Sequence, residues 1–342
     1  MTPPVFATLA LLALGLCGGA AAVDNADRRL TRALAAEEQR NGPASPYLLP
    51  LLEQLAQLRF REGDLGEAAA MRRRALSIAI GAFGSDSASA AEAMTALAAI
   101  EIDRGRYLDA EPLLTAAANV LFGRLEPDHP AIVAVLVGRA RVASARGDVE
   151  PALEWARRAA AAADKNPHSR STAAQRALGA ALTAAARFAE GEALLQEALR
   201  RDREKHGSNS TAVARSLSQL ANLYLRQQRF ADALPLMEEA TAIDQALLGA
   251  THPFIGDDLF DLGLVYDGLK RPDAARAALA MAIQVLERGA GRETPRVAYA
   301  EIELARILRA QGKARAATSA ARDARRILRR AEDEERRRER EI

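Results

Sequence analysis

Cysteine is almost missing from this chain: a single one, Cys17, stands in 342 residues, inside an apolar amino-terminal stretch. Intramolecular disulfides are therefore excluded, and so is any thiol pair for redox or zinc chemistry. Aromatic residues are scarce too, 4% against 49% hydrophobic overall, so Ala and Leu supply most of the apolar surface. That mixture suits closely spaced helices better than a globular core built on Phe, Tyr and Trp. An excess of one charge is also lacking. Lys plus Arg number 47 against 45 Asp plus Glu, a net +2 that gives no general attraction to nucleic acid or anionic lipid. His129, His168, His206 and His252 form no i, i+4 pair of the kind that binds metal on a helix. A Gly-rich phosphate loop, a Gly-x-Ser-x-Gly elbow and zinc spacings are absent as well. From this inventory no cofactor, metal or catalytic group is expected, and the chain reads as non-enzymatic.

The amino terminus carries a targeting pattern. Residues 1–23 hold no charged side chain, and the apolar run Val5 to Leu16 is followed by Gly18, Gly19, Ala20, Ala21 and Ala22. Small residues at Ala20 and Ala22 fit cleavage before Val23, so residues 1–22 are expected to be a signal peptide and the mature protein periplasmic or secreted. No Lys or Arg precedes the run. If the segment stayed uncleaved it would anchor the protein with the rest outside the cytoplasm, the one circumstance in which a membrane is a partner. Leu16, standing before Cys17, is too large for a lipoprotein signal.

Beyond residue 23 the dominant feature is self-similarity. A turn slot holds Gly63, Gly105, Gly147, Ala186, Gln228, Lys270 and Gly312, at steps of 42, 42, 39, 42, 42 and 42. Seven residues before each turn, and again five after it, every residue is Gly or Ala. Twelve after it the residue is always Ala, from Ala75 to Ala324. Small residues at fixed points let two antiparallel helices approach closely and let each pair stack on the next. Leu55, Leu97, Leu178, Leu220, Leu262 and Leu304 recur beside the first small slot, and Leu114, Leu195, Met237 and Leu279 on the second helix. The pattern predicts an all-α, right-handed α-solenoid of about seven helical hairpins over residues 45–328. A half-repeat capping helix is expected over 23–44 and a charged helical tail over 329–342. Arg59, Arg72 and Arg139 occupy slots that are apolar in sibling units, so the first and third units are expected to be looser.

Segments such as Leu220-Ala-Asn-Leu-Tyr-Leu-Arg-Gln-Gln-Arg-Phe-Ala-Asp-Ala233, and Leu97 to Ala110 with its Gly-Arg-Tyr turn, resemble tetratricopeptide repeats. The spacing is similar to the 42-residue version found in kinesin light chains. Linkers in that family often carry Asp-His-Pro, which Glu126-Pro127-Asp128-His129-Pro130 and Gly249-Ala-Thr-His252-Pro253 match, and Pro130, Pro253 and Pro295 share one slot. The resemblance implies a protein-interaction scaffold whose ligand lies along the concave face, on the first helix of each hairpin. It does not identify the ligand.

Positions ten, six and three before each turn should line that face. These are Ser218, Asn222 and Leu225 in the fifth unit, Phe260, Leu264 and Asp267 in the sixth, and Ile302, Arg306 and Arg309 in the seventh, with Arg141, Arg176 and Arg215 adding charge further along. Asn222 offers both a donor and an acceptor to a peptide backbone, although it equally suits a solvated helix surface. Phe260 can serve a ligand or a neighbouring helix. Tetratricopeptide co-chaperones that grip a carboxyl-terminal Asp or Glu use a clamp of Lys, Asn and Arg. Here Ser218 stands where its Lys would be and Asp261 where a second Asn would be, with Asp257 and Asp267 on the same helix. An acidic terminus is therefore disfavoured, and a protein or extended peptide of mixed charge is expected. The alternative is a sensor or carrier that closes around a small molecule or short peptide.

Overall fold

The computed structural model describes residues 20–165, 171–289, 291–292 and 294–341. Most of the expected signal peptide, and His168, lie outside these. Helix accounts for 84% of the chain, against the third that is ordinary for globular proteins, and no strand occurs among the described residues. Helix α1 (Ala20–Asn41) precedes a short 3-10 turn (Pro46–Leu48) and then seven antiparallel hairpins. The first three pair α2 (Leu49–Arg61) with α3 (Leu65–Phe83), α4 (Ala88–Asp103) with α5 (Tyr107–Leu121), and α6 (Pro130–Arg146) with α7 (Val149–Lys165). Next come α8 (Thr172–Ala184) with α9 (Phe188–His206), and α10 (Thr211–Arg226) with α11 (Phe230–Leu248). The last two pair α12 (Pro253–Gly268) with α13 (Pro272–Gly289), and α14 (Pro295–Ala310) with α15 (Ala314–Glu341). Among the described residues no helix is long and apolar enough to cross a membrane.

The turn slot has one backbone solution throughout. All seven residues have positive φ, including the non-glycines Ala186, Gln228 and Lys270 at 57°, 60° and 59°. In every unit the next residue's N–H reaches back five positions to close a Schellman turn, as in Asp64 to Arg59 O (2.9 Å) and Arg229 to Tyr224 O (2.8 Å). A left-handed residue is the requirement; Gly meets it without strain, and three units meet it at the cost of a Cβ clash.

The small slots are buried where the two helices of a hairpin cross. Ala98, Ala110, Ala117, Ala198, Ala240 and Ala282 are fully buried. A Cβ added at Gly179 would meet Leu195 Cγ at 2.6 Å, and one at Gly263 would meet Leu279 Cγ at 2.7 Å. The Leu of the second helix thus fills the space left by the small residue of the first, which fixes how closely they pack. First helices also pack on first helices, α4 on α6, α6 on α8, α8 on α10, α10 on α12 and α12 on α14. They form the inner layer of the solenoid.

The arginines at apolar slots are accounted for. Arg59 pairs with Asp27 of α1 at 2.6 Å and with Glu62 at 2.7 Å, Arg72 pairs with Glu53, and the Arg139 guanidinium lies 4.0 Å above the Trp155 ring. Helix α1 covers the first hairpin, with Leu34 packed on the Leu48–Leu52 cluster.

Candidate functional site

Successive hairpins rotate enough for the ends of the inner layer to meet. His252, at the N-cap of α12, is fully buried. Its Nδ1 accepts the Phe254 N–H (3.2 Å), so the proton sits on Nε2, which donates to the Phe60 carbonyl at the end of α2 (2.8 Å), 192 residues away. Phe60, His252 and Phe254 meet edge to face with ring centroids 4.6 to 5.5 Å apart. Gly63 lies against the same linker, where a Cβ would stand 3.2 Å from His252 Cα. One turn further along, Arg296 of α14 donates to the Asp103 carbonyl at the end of α4 (3.2 Å). Hairpins 1 and 2 are thereby joined to hairpins 6 and 7.

This seam turns the concave face into a chamber of about 400 Å³ joined to a vestibule of about 840 Å³; Asp103, Arg176, Arg215 and Phe254 line both. Arg141, Arg176, Arg215, Ser218 and Asn222, five of the expected groove residues, line the chamber. The other seven do not, and Ile302 among them is exposed on the surface. Phe260 is wedged among the clusters that join hairpins 5, 6 and 7, and Leu225 packs on the cluster joining hairpins 5 and 6. Leu264 is half-buried outside the lining. Asp267 and Arg306 neutralise each other (2.7 Å), with Glu303 also on Arg306 (2.8 Å). Arg309 lines a separate cleft beside α15, next to Arg322 and Arg325.

Several lining residues were not anticipated. Asp103 and Arg296 lie at helix ends, Asp244 belongs to a second helix, and Phe254 and Asp258 fall outside the counted positions. The run Asp257-Asp258 with Asp261 was the one signal that could have pointed here, because three carboxylates within five residues have no function in a plain packing helix.

The chamber's charges divide into partnered and unpartnered. Arg141 binds Asp103 (2.6 Å), Arg176 binds Asp202 (2.7 Å) and Arg296 binds Asp257 (2.7 Å). Burial would push the Asp103 carboxyl up, but Arg141, Arg215 and Arg296 together outweigh it and hold it below its ordinary value. Arg215 forms no ion pair among the described residues; its guanidinium lies 3.3 Å over the Phe254 ring and burial lowers its pKa, though it remains charged. On the other wall burial dominates. It raises Asp244 to about 6 against the pull of Arg215. Asp261 rises to about 7 through burial and the neighbouring Asp257, with Asn222 hydrogen-bonded to it in opposition. Asp258 is pushed well up by burial and by Asp244, while accepting one hydrogen bond from Ser218 Oγ (3.1 Å). Among the described residues no group of three or more His, Cys, Asp or Glu converges closely enough to hold a metal ion.

Comparison with known proteins bears on the fold. The tetratricopeptide-repeat family model matches residues 47–121, 89–165, 170–246 and 213–288, more than half of the chain. Among solved structures the chain is similar to BtubC (BKLC) from P. vanneervenii, at 20% identity and TM-score 0.50 over 71% of this chain and 92% of that one. It is also similar to a Rap protein complexed with Competence and Sporulation Factor, at 11% identity and TM-score 0.63 over 85% and 79%. A Podosopora anserina putative kinesin light chain aligns at 24% identity and TM-score 0.44 over 59% and 97%. No curated protein matches significantly. With its turn slots, its buried small residues and the family match in one register, the chain belongs to the tetratricopeptide-repeat family, whose fold serves as a protein-interaction scaffold.

Proposed function

We propose that this protein is an exported, non-catalytic binding protein that takes a short peptide of mixed charge into the chamber enclosed by its inner helices. The seam between hairpins 1–2 and 6–7 carries this reading, because it limits the ligand to what a chamber of about 400 Å³ and its vestibule of about 840 Å³ can hold. These are volumes of sites for small ligands and short peptides, not for a folded domain. Ser218, Gln219 and Asn222 supply side-chain donors and acceptors suited to a peptide backbone, and the lining mixes Arg with Asp. The likeness to a Rap protein complexed with Competence and Sporulation Factor agrees with the reading at the level of the fold alone. A carrier of a small charged molecule is the second reading, favoured by the chamber taken without its vestibule. Export rests on the amino-terminal pattern.

Native mass spectrometry of protein purified from its own host tests both parts. The expected result is a mature chain beginning at Val23 with a bound species that fragments into amino acids, released by Asn222→Ala combined with Arg215→Ala in a still helical protein. A bound species without peptide bonds would give the second reading. An intact amino terminus would replace export by anchoring. A captured partner that crosslinks only to second helices would remove the binding site from the chamber.

A further inference from the structure

The charges in the chamber do not balance. With Arg141–Asp103, Arg176–Asp202 and Arg296–Asp257 paired, Arg215 is the one guanidinium left to face Asp244, Asp258 and Asp261. Its guanidinium carbon lies 3.3 Å from the Phe254 ring centroid, with no carboxylate among the described residues in ion-pair range. Asp258 and Asp244 are 5% and 2% exposed, and each keeps a buried carboxylate oxygen, Asp258 Oδ2 and Asp244 Oδ1, without a hydrogen-bond donor among the described residues. A buried carboxylate with an unsatisfied oxygen is destabilising and calls for a water, an ion or a ligand to complete it. Three neighbouring donors are already engaged. Ser218 donates to Asp258 Oδ1, Asn222 is hydrogen-bonded to Asp261, and Arg296 is held by Asp257 and the Asp103 carbonyl. Among the described residues no group converges closely enough to hold a metal ion, and N–H donors of an organic cation suit these oxygens.

We propose that Asp244, Asp258 and Asp261 form a subsite for a cationic group of the ligand, a primary ammonium or guanidinium such as a Lys or Arg side chain or a free amino terminus. This rests on the reading of the chamber as a peptide site and gives it a chemical preference. A planar or tetrahedral N–H donor set supplies several hydrogen bonds at once, satisfying Asp258 Oδ2 and Asp244 Oδ1, and its charge favours the ionised form of Asp261, whose proton passes to solvent. Arg215, which feels Asp244 and Asp258 at longer range, suits an acceptor of the ligand, such as a backbone carbonyl or a carboxylate.

The test compares end-blocked pentapeptides Ala-Gly-X-Gly-Ala, with X Lys, norleucine or Glu, and agmatine as a non-peptide cation, by calorimetric titration of the mature chain. The expected order is Lys above norleucine by tenfold or more, with Glu weakest. Asp258→Asn and Asp261→Asn should each reduce the Lys preference to within threefold while leaving the melting temperature equal or higher. A residue kept for structure alone would lower the melting temperature when replaced; one kept for a ligand against the interest of the fold does the reverse. Equal binding of the Lys and norleucine peptides would overturn the cation subsite and leave the peptide reading standing. Agmatine binding that depends on Asp258, without binding of any peptide, would uphold the subsite and overturn the peptide reading. Failure of all four probes to bind would overturn both. If Asp258→Asn misfolds, Asp261→Asn decides alone.

Discussion

The two His-Pro linkers are alike in sequence and in local structure, yet one closes the molecule and the other does not. His129 and His252 each cap the next first helix, with Nδ1 accepting an N–H two residues on (3.2 Å in both), and Pro130 and Pro253 each occupy the first turn. His129 is partly exposed, whereas the second nitrogen of His252 meets the Phe60 carbonyl inside an aromatic cluster. One motif therefore has a local role, helix capping, and a second role that exists only where the superhelix returns on itself. The same holds for the turn glycines. Gly63 and Gly147 share a φ of 81°, but a Cβ at Gly147 would meet nothing within 4 Å, while one at Gly63 would press on His252 and Pro253.

The largest effect should come from breaking this contrast at the glycines. Gly147→Ala is expected to cost the left-handed strain alone, about 1–2 kcal/mol. Gly63→Ala is expected to cost that plus overpacking at the seam, about 1–3 kcal/mol more, and to open the ring. Thermal melts together with small-angle scattering check both: equal melting losses and an unchanged radius of gyration for Gly63→Ala would mean that the seam does not hold the molecule closed.

Next in size are the histidines. His129→Ala should lose a cap, about 1 kcal/mol. His252→Ala should lose the same and leave the Phe60 carbonyl buried without a donor, about 1–3 kcal/mol further. A difference below about 0.5 kcal/mol between the two, by chemical denaturation, would assign the His252–Phe60 bond no weight.

The smallest expected effect is in the pH dependence, because two limbs oppose each other. Burial holds the His252 pKa near 4 against an ordinary 6.5, with the Phe60 carbonyl opposing and Arg215 assisting. Its neutral form is the one the fold accepts, so its contribution is intact above pH 6.5 and lost as the pH falls through about 4. Asp244 near 6 and Asp261 near 7, both above an ordinary 3.8, work the other way. Their protonated forms are favoured in the fold, a contribution complete below 3.8 and lost as the pH rises through 6 to 7. The two raised carboxyls outweigh the one depressed imidazole, so stability of the native chain should fall as the pH rises from 5 to 7. Asp261→Asn should flatten that fall, and His252→Asn should steepen it. Parallel profiles for the two variants would show that neither group titrates as its surroundings dictate.

The sequence was most legible where contacts are local or run to the next unit. The seven turn slots, including the unlikely Gln228 and Lys270, all proved left-handed, and the small slots proved to be helix contacts, because a 42-residue step repeats the same neighbours each time. The choice of the first helices as the inner layer followed for the same reason. The site was legible only in half. Arg141, Arg176, Arg215, Ser218 and Asn222 come together, whereas Phe260 went to packing between hairpins and Asp267 and Arg306 went to each other. Counting positions on a helix tells which way a side chain faces, not which neighbour reaches it first.

By itself the sequence determined the helices, their pairing, the turns and the inward-facing stripe, all fixed by interactions within about one repeat. Tertiary structure alone decided that the stripe closes into a chamber. Closure depends on the small rotation between successive hairpins accumulating over six units until Phe60 meets His252, 192 residues later. No single residue encodes that angle; it emerges from packing such as Leu114 on Gly138, Leu195 on Gly179 and Leu279 on Gly263. The same closure, by burying Asp244 and Asp258 out of reach of their usual solvent, turned ordinary helix-surface carboxylates into one wall of the chamber.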